Sequence, residues 1–338
     1  MKTEPMQDQL QRPIRDLRIS VTDRCNFRCT YCMPKEIFGD DYRFLPSEEL
    51  LTFEEIVLVA EVFASLGVRK LRLTGGEPLL RSHLPSLIER LWQIDGIEDI
   101  GLTTNGLLLG RYADSLMNAG LRRVNVSLDA LDPKLFGYMN GRGIEPSRIL
   151  DNMEHARRIG LQVKVNMVVE KGLNEQEILP MAAYFKARGI KLCFIEFMDV
   201  GNDNGWSMKK VVTKREIYHL LASRYELEPL ESNYFGEVAQ RYQYKDGSAE
   251  IGFITSVSES FCSTCTRARL SSEGKIYTCL FASEGFNLRQ MLRSGASRTQ
   301  LTHAIRDVWL SRHDRYSDER TEQTAQTRKK INMSYIGG

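Results

Sequence analysis

The chain has 338 residues, a net charge of +2 and 27% charged residues. That balance gives no reason to expect nucleic acid or a membrane surface as a partner, and no stretch reaches the roughly 18 apolar residues of a spanning helix. Of the seven cysteines, six fall in two tight triplets, which argues against a secreted disulfide framework and for reduced, metal-holding thiolates in the cytoplasm. The polar first dozen residues contain no apolar targeting core.

The first expected element is a strand at 17–22. Cys25, Cys29 and Cys32 follow it in the run Cys-Asn-Phe-Arg-Cys-Thr-Tyr-Cys. A [4Fe–4S] cluster commonly takes four cysteines. Three leave one iron open to an outside ligand, the logic that separates catalytic from structural zinc sites. A zinc knuckle would need a fourth protein ligand. Tyr31, directly before the last cysteine, suits a site that accommodates a flat ring.

Strands are expected next at Lys70–Thr74, Asp99–Thr104, 123–129, Gln162–Val169 and 192–199. Helical patterns lie between them at 52–66, 84–94 and 148–159, and glycines (Gly67, Gly120, Gly160, Gly189) stand at C-cap positions. This beat predicts right-handed βαβ units and a parallel sheet. Over residues 1–200 it fits an α/β fold of the partial (β/α)6, TIM-like kind; an open doubly wound sheet has the same beat.

The strands also alternate. Leu17, Leu71, Leu73, Val124, Val126, Val163 and Val165 share the apolar face, with Ile195 and Phe197 placed beside them. Arg18, Arg72, Asn125, Ser127, Lys164, Glu196 and Met198 take the other face. If helices cover the apolar face, the barrel interior holds Arg18, Arg72 and Lys164, and three buried cations call for an anionic ligand. A solvated sheet face is the alternative. At the end of the second strand, Thr74-Gly75-Gly76-Glu77-Pro78 offers paired glycines for close approach to a ligand and a carboxylate that could accept from an ammonium group.

After residue 200 the beat stops. A helix is expected at 213–225 and a hairpin at Gln240–Tyr244 and 250–255. Cys262, Cys265 and Cys279 then supply three ligands without an obvious fourth, and their spacing leaves zinc and a cluster open. Arg267 and Arg269 alternate on one strand face beside them, a geometry that could clamp a polyphosphate or guard a hairpin edge. The polar run beyond 310 is expected to be a flexible tail, 311–338, ending in Gly337-Gly338.

The cysteine run with Gly-Gly-Glu-Pro resembles the radical S-adenosylmethionine enzymes. With Thr-Thr-Asn-Gly, Asn-Val-Ser-Leu-Asp, Cys-Ser-Thr-Cys-Thr-Arg-Ala-Arg-Leu and the Gly-Gly end, it resembles among them the GTP 3′,8-cyclases that open molybdenum cofactor biosynthesis. The resemblance implies a [4Fe–4S] cluster on each triplet, the second in a C-terminal α+β extension over 201–310. It implies S-adenosylmethionine beside Tyr31, Gly76, Ser127 and Met198. GTP would lie beside Arg18, Arg72, Thr103, Lys164, Arg267 and Arg269, with Arg18, Arg267 and Arg269 catalytic. It further implies a reducing electron donor, hand-off to a cyclic pyranopterin monophosphate synthase, a monomer or homodimer, and a thin terminal Gly-Gly end that reaches the active site. A peptide maturase of the same superfamily would bring more C-terminal cysteines. A metal sensor would not need the inward cations.

Overall fold

The computed structural model describes residues 6–201 and 204–337. Gly338, half of the terminal pair, lies outside them. Six parallel strands pair in chain order: β1 (Asp16–Ser20), β2 (Lys70–Thr74), β3 (Asp99–Thr104), β4 (Arg123–Ser127), β5 (Gln162–Val169) and β6 (Lys191–Glu196). Helices α1 (Phe53–Ser65), α2 (Leu84–Trp92), α3 (Leu109–Asn118), α4 (Pro133–Met139), α5 (Pro146–Arg158) and α6 (Ile178–Lys186) run between them. Thr52 starts α1 with a capping box: its hydroxyl accepts from the Glu55 N–H at 3.1 Å and the Glu55 carboxylate accepts from the Thr52 N–H at 2.8 Å.

The strand alternation puts Leu17, Ile19, Leu71, Leu73, Val124, Val126 and Val165 into one apolar core with the helices. Arg18, Arg72 and Lys164 face a central cavity instead. On β6 the expected alternation is inverted. Ile195 lines the cavity, whereas Glu196 is buried on the outer side. Its carboxylate there accepts from the backbone N–H groups of Lys214 (2.9 Å), Val257 (2.9 Å) and Ser258 (2.8 Å). Three donors satisfy a buried carboxylate, so charge alone does not tell which way it points. Met198, beyond the strand end, does reach the cavity.

The C-terminal region does not stand apart from the barrel. After α7 (Lys214–Ala222) come β7 (Leu227–Leu230), β8 (Gln240–Tyr244) and β9 (Glu250–Ile254), and β9 pairs parallel with β6. At the other edge β10 (Arg267–Leu270) pairs parallel with β1, followed by β11 (Lys275–Tyr277) and β12 (Phe286–Asn287). One 12-stranded sheet results, with both open edges of the six-stranded unit covered by the extension.

Helices α8 (Leu288–Arg293), α9 (Arg298–Leu310), α10 (Tyr316–Glu319), α11 (Glu322–Thr327) and α12 (Met333–Ile336) complete the chain. The expectation of a flexible tail is therefore corrected over its described residues: α12 packs on β1, α10 lies against Cys262–Thr264, and Tyr316, Ser334 and Ile336 are buried, although α11 buries no residue. The anchors are mostly polar. Asp199, only 1% exposed, accepts from Arg320 at 2.8 Å and Lys330 at 3.0 Å, and a composition poor in apolar residues hides such a tie.

Candidate functional site

A cavity of about 330 Å³ fills the barrel, and both cysteine triplets open into it. The first triplet sits on the loop after β1. Cys32 and Met33 donate their N–H groups to the Cys29 carbonyl at 3.0 and 2.9 Å, and the Phe27 N–H lies 3.4 Å from the Cys25 sulfur. Arg28, inside the triplet, is buried and donates to the carbonyls of Cys25 and Phe27, both at 2.8 Å. The loop is thus held from within by a residue to which the spacing assigned no role.

Gly75 and Gly76 carry a packing role in addition to the ligand approach expected of them. A Cβ on Gly76 would meet the Arg24 carbonyl oxygen at 2.3 Å, and one on Gly75 the Thr22 carbonyl oxygen at 2.5 Å. The missing side chains let the end of β2 lie directly on the backbone of the cysteine loop, while both residues still line the cavity. Glu77 is also turned away from a ligand. It is fully buried and accepts from the Thr104 hydroxyl (2.7 Å) and the N–H groups of Asn105 (2.8 Å) and Leu79 (3.0 Å).

Burial pushes the thiols of Cys25 and Cys32 up to about 12 and raises that of Cys29. Without a cation these sulfurs stay protonated, so metal loading must release their protons. Among the described residues no three Cys, His, Asp or Glu side chains converge on a point for a single metal ion. A four-iron cluster asks for something else, one thiolate on each of three different irons, and two sets of three cysteine sulfurs on one cavity suit that demand.

Between the triplets the cavity brings together the residues expected around an adenosyl cofactor and a nucleotide: Tyr31, Gly76, Ser127 and Met198, then Arg18, Arg72, Thr103, Lys164, Arg267 and Arg269. The Tyr31 hydroxyl donates to Asp129 at 2.9 Å, and burial pushes that carboxyl up to about 6. Asp129 itself, Asn105 and Asn166 line the cavity too. The Asn166 Oδ1 is buried without a hydrogen-bond partner, as a group awaiting a ligand would be. Asn105 lies in the Thr-Thr-Asn-Gly run, which carried that signal.

The cations are arranged in a row. In the ladders β10–β1–β2, Arg269 stands opposite Arg18 and Arg18 opposite Arg72. Like charges directly opposite each other are destabilising. Burial, then Arg269, Arg72 and Arg267, bring Arg18 well below the usual guanidinium range. Burial lowers Arg72 and Arg269 to about 10. Among the described residues no carboxylate forms an ion pair with Arg18, Arg72, Lys164, Arg267 or Arg269. Arg269 instead donates to the carbonyls of Ile336 (3.2 Å) and Gly337. Gly337 has a φ of 69°, and a Cβ there would overlap the Thr74 methyl, so Gly337 packs against Thr74 and Arg269, two residues that line the cavity, at a point where only glycine fits.

At the second triplet, the sulfur of Cys265 receives N–H groups from Arg267 at 3.1 Å and Arg312 at 3.0 Å. Burial acts upward on this thiol, yet the two guanidiniums bring it down to about 6. Burial leaves Cys279 pushed up to about 12 and Cys262 raised. Arg312, Arg12 and Asp8 are site residues the sequence did not single out. Asp8 and Arg12 are four positions apart, but Arg312 lies 304 positions from Asp8, and nothing in local spacing joins it to them.

Comparison with known proteins bears on the whole chain. Residues 19–185 match the model of the Radical SAM superfamily, and residues 190–318 match Molybdenum Cofactor Synthesis C. A GTP 3′,8-cyclase of Staphylococcus haemolyticus (strain JCSC1435) is 61% identical over 98% of this chain and 99% of its own length. One of Staphylococcus aureus (strain JH9) is 59% identical over 99% of each. Among solved structures, Streptococcus suis SuiB bound to S-adenosylmethionine aligns with a TM-score of 0.60 at 15% identity, over 88% of this chain and 66% of that one, a likeness of fold. By its identity to these relatives over nearly the full length, the chain belongs to the GTP 3′,8-cyclase family of the radical S-adenosylmethionine superfamily.

Proposed function

We propose that this protein is a GTP 3′,8-cyclase that converts GTP to (8S)-3′,8-cyclo-7,8-dihydroguanosine 5′-triphosphate, the first step of molybdenum cofactor biosynthesis. The observation that carries the reading is the row Arg269–Arg18–Arg72 with Lys164 and Arg267 around it, cations without carboxylate partners in an enclosed cavity. A triphosphate supplies the missing negative charge and accepts from several guanidiniums at once.

Cys25, Cys29 and Cys32 would hold one [4Fe–4S] cluster and Cys262, Cys265 and Cys279 another, each with an iron left open. When bound, the first cluster and S-adenosylmethionine would supply one-electron reduction and hydrogen-atom abstraction, the radical chemistry needed to join C3′ of GTP to C8 of its guanine. The chain's own part is placement. Tyr31, Gly76, Ser127 and Met198 would surround S-adenosylmethionine, with Asp129 fixing the Tyr31 ring. Arg18, Arg72, Thr103, Lys164, Arg267 and Arg269 would hold GTP. The triphosphate is then gripped at one end and the base at the other, so two unreactive carbons meet in one geometry. Arg18, Arg267 and Arg269 would touch the reacting nucleotide, and the Ile336 and Gly337 carbonyls hold Arg269 in place.

The same reading supplies an external reductant and passes the product to a cyclic pyranopterin monophosphate synthase. It places the protein in the cytoplasm as a monomer or homodimer. No helix among the described residues is long and apolar enough to cross a membrane.

The phosphate series tests the reading. Hydrogen bonds to charged groups contribute about 1.5–3 kcal/mol each, so each phosphate removed should weaken binding about tenfold or more. Titration of the anaerobically reconstituted protein should rank GTP over GDP over GMP. Equal binding of guanosine and GTP would contradict it.

A further inference from the structure

The buried arginine pair behind the second triplet has a geometry that the nucleotide does not account for. Arg312 donates one Nη to the Cys265 sulfur at 3.0 Å and the other to the Cys265 carbonyl at 2.8 Å. Arg12 donates to the Cys262 carbonyl at 2.9 Å. One carboxylate, Asp8, serves both: it lies 2.6 Å from Arg12 and 3.2 Å from Arg312, and the two arginine side chains are 1% and 2% exposed. Asp314 approaches the Arg312 Nε only to 3.6 Å and is partly exposed. The Arg312 Nε and the Arg12 Nη2 are both buried without a hydrogen-bond partner, and both residues line the cavity beside the cysteines.

The charge balance is uneven. Arg12, Arg312 and Arg267 bring three cations to this corner. Among the described residues Asp8 is the fully buried carboxylate between them, while Asp314, 3.6 Å from the Arg312 Nε, is 26% exposed and Asp16 and Asp318 act from farther off. A surplus of buried positive charge is stable only beside an anion, and a cluster on thiolates is one. The first triplet is built differently. Among the described residues no guanidinium donates to a sulfur there: Arg28 acts on Cys25 only through its charge and donates to carbonyls instead, and Cys25 has the Phe27 N–H at 3.4 Å and the Asn105 amide at 3.9 Å. Hydrogen bonds to cluster sulfurs and nearby charge set reduction potentials, because both stabilise the more negative, reduced state.

We propose that Arg312 is a positioning residue for the second cluster: together with Arg267 it grips the Cys265 sulfur and raises that cluster's reduction potential above the first cluster's, while Asp8 and Arg12 lock it in place from the N-terminal segment. The proposal rests on the cyclase reading only in taking a four-iron cluster at these cysteines. It adds a function for three residues at opposite ends of the chain. It also explains why the N-terminal segment is folded against residues 309–314: the Trp309 indole N–H donates to the Arg12 carbonyl at 3.2 Å, and the Gln9 N–H to the Arg312 carbonyl at 3.3 Å.

The test is an anaerobic redox titration of the full chain followed by electron paramagnetic resonance, with iron and zinc counted in the same samples. Arg312→Gln removes one N–H···S bond and one charge, so the second cluster's midpoint should move to a more negative potential while the first cluster's stays put. Asp8→Asn removes the opposing charge but keeps an amide oxygen that can accept from Arg12 and Arg312 where Oδ2 does now, so the Arg312 grip is retained and the shift should have the opposite sign. Should Arg312→Gln fail to load the second site, Asp8→Asn carries the decision. Unchanged second-cluster midpoints in the loaded variants, or equal shifts of both clusters, would overturn the proposal. Failure of the cyclase reading itself would show earlier, as zinc or only about four irons in the unsubstituted protein.

Discussion

Replacing Asp199 with asparagine is expected to release the C-terminal segment and to cost about 3–5 kcal/mol, the usual loss when one partner of a buried ion pair is removed. Asp199 follows Met198 at the end of β6 and is 1% exposed. It accepts from Arg320, Lys330 and the Tyr316 hydroxyl, and the two cations are each 3% exposed. Asparagine keeps the size but takes away the charge that both cations face. The segment they hold includes Gly337, whose carbonyl accepts from Arg269. Loss of the tie should therefore free Arg269. Limited trypsin digestion checks this: the variant should be cut quickly within residues 311–337 while the barrel resists. The same cutting pattern and urea midpoint as the unsubstituted protein would count against it.

Gly76→Ala should empty the first metal site. The added methyl would lie 2.3 Å from the Arg24 carbonyl oxygen and 2.8 Å from that of Asp23, distances at which backbone must move. Arg24 directly precedes Cys25, and the Gly76 N–H and Glu77 N–H donate to the Thr22 and Arg24 carbonyls, both at 2.8 Å. The cysteine loop is thus pressed on the end of β2 with no room between them. Reconstituted Gly76→Ala should retain only the second triplet's share, about four irons of about eight. Full iron content with ordinary S-adenosylmethionine binding would mean that the loop tolerates the methyl by shifting as a unit.

Much of the barrel was legible because parallel strands with one apolar and one cationic face are uncommon, and Leu17/Arg18, Leu71/Arg72 and Val163/Lys164 broadcast that contrast. Period 2 then put Arg18, Arg72 and Lys164 on the cavity without any appeal to a relative. The same rule failed at β6, where Glu196 is buried against three backbone N–H groups, a solution invisible to a polar-or-apolar alphabet. Glu77 escaped for a similar reason: its acceptors are used up within the fold. The short α4 went unseen, with seven residues and an internal Gly137. The tail was misjudged because its anchors are Arg320, Lys330 and Tyr316 around one distant aspartate. Asp8 and Arg12 meet locally, but Arg312 joins them from 304 positions away, a contact that local spacing cannot show.

The union of the extension and the barrel in one sheet is what sets the arginines in register. Arg269 reaches the cavity only because β10 adds to the β1 edge, and Arg18 then has an arginine on either side. A fold that sets like charges side by side gives up stability unless an anion arrives, and substrate binding is the event that restores it.

The central claim is that two clusters and a row of cations act on one GTP. The most direct measurement is anaerobic reconstitution, an iron count, and incubation with S-adenosylmethionine and dithionite, with and without GTP, followed by assay of 5′-deoxyadenosine. About eight irons per chain and 5′-deoxyadenosine that forms in step with GTP consumption are the predicted results. About four irons accompanied by zinc, or cofactor cleavage indifferent to GTP, would contradict the account.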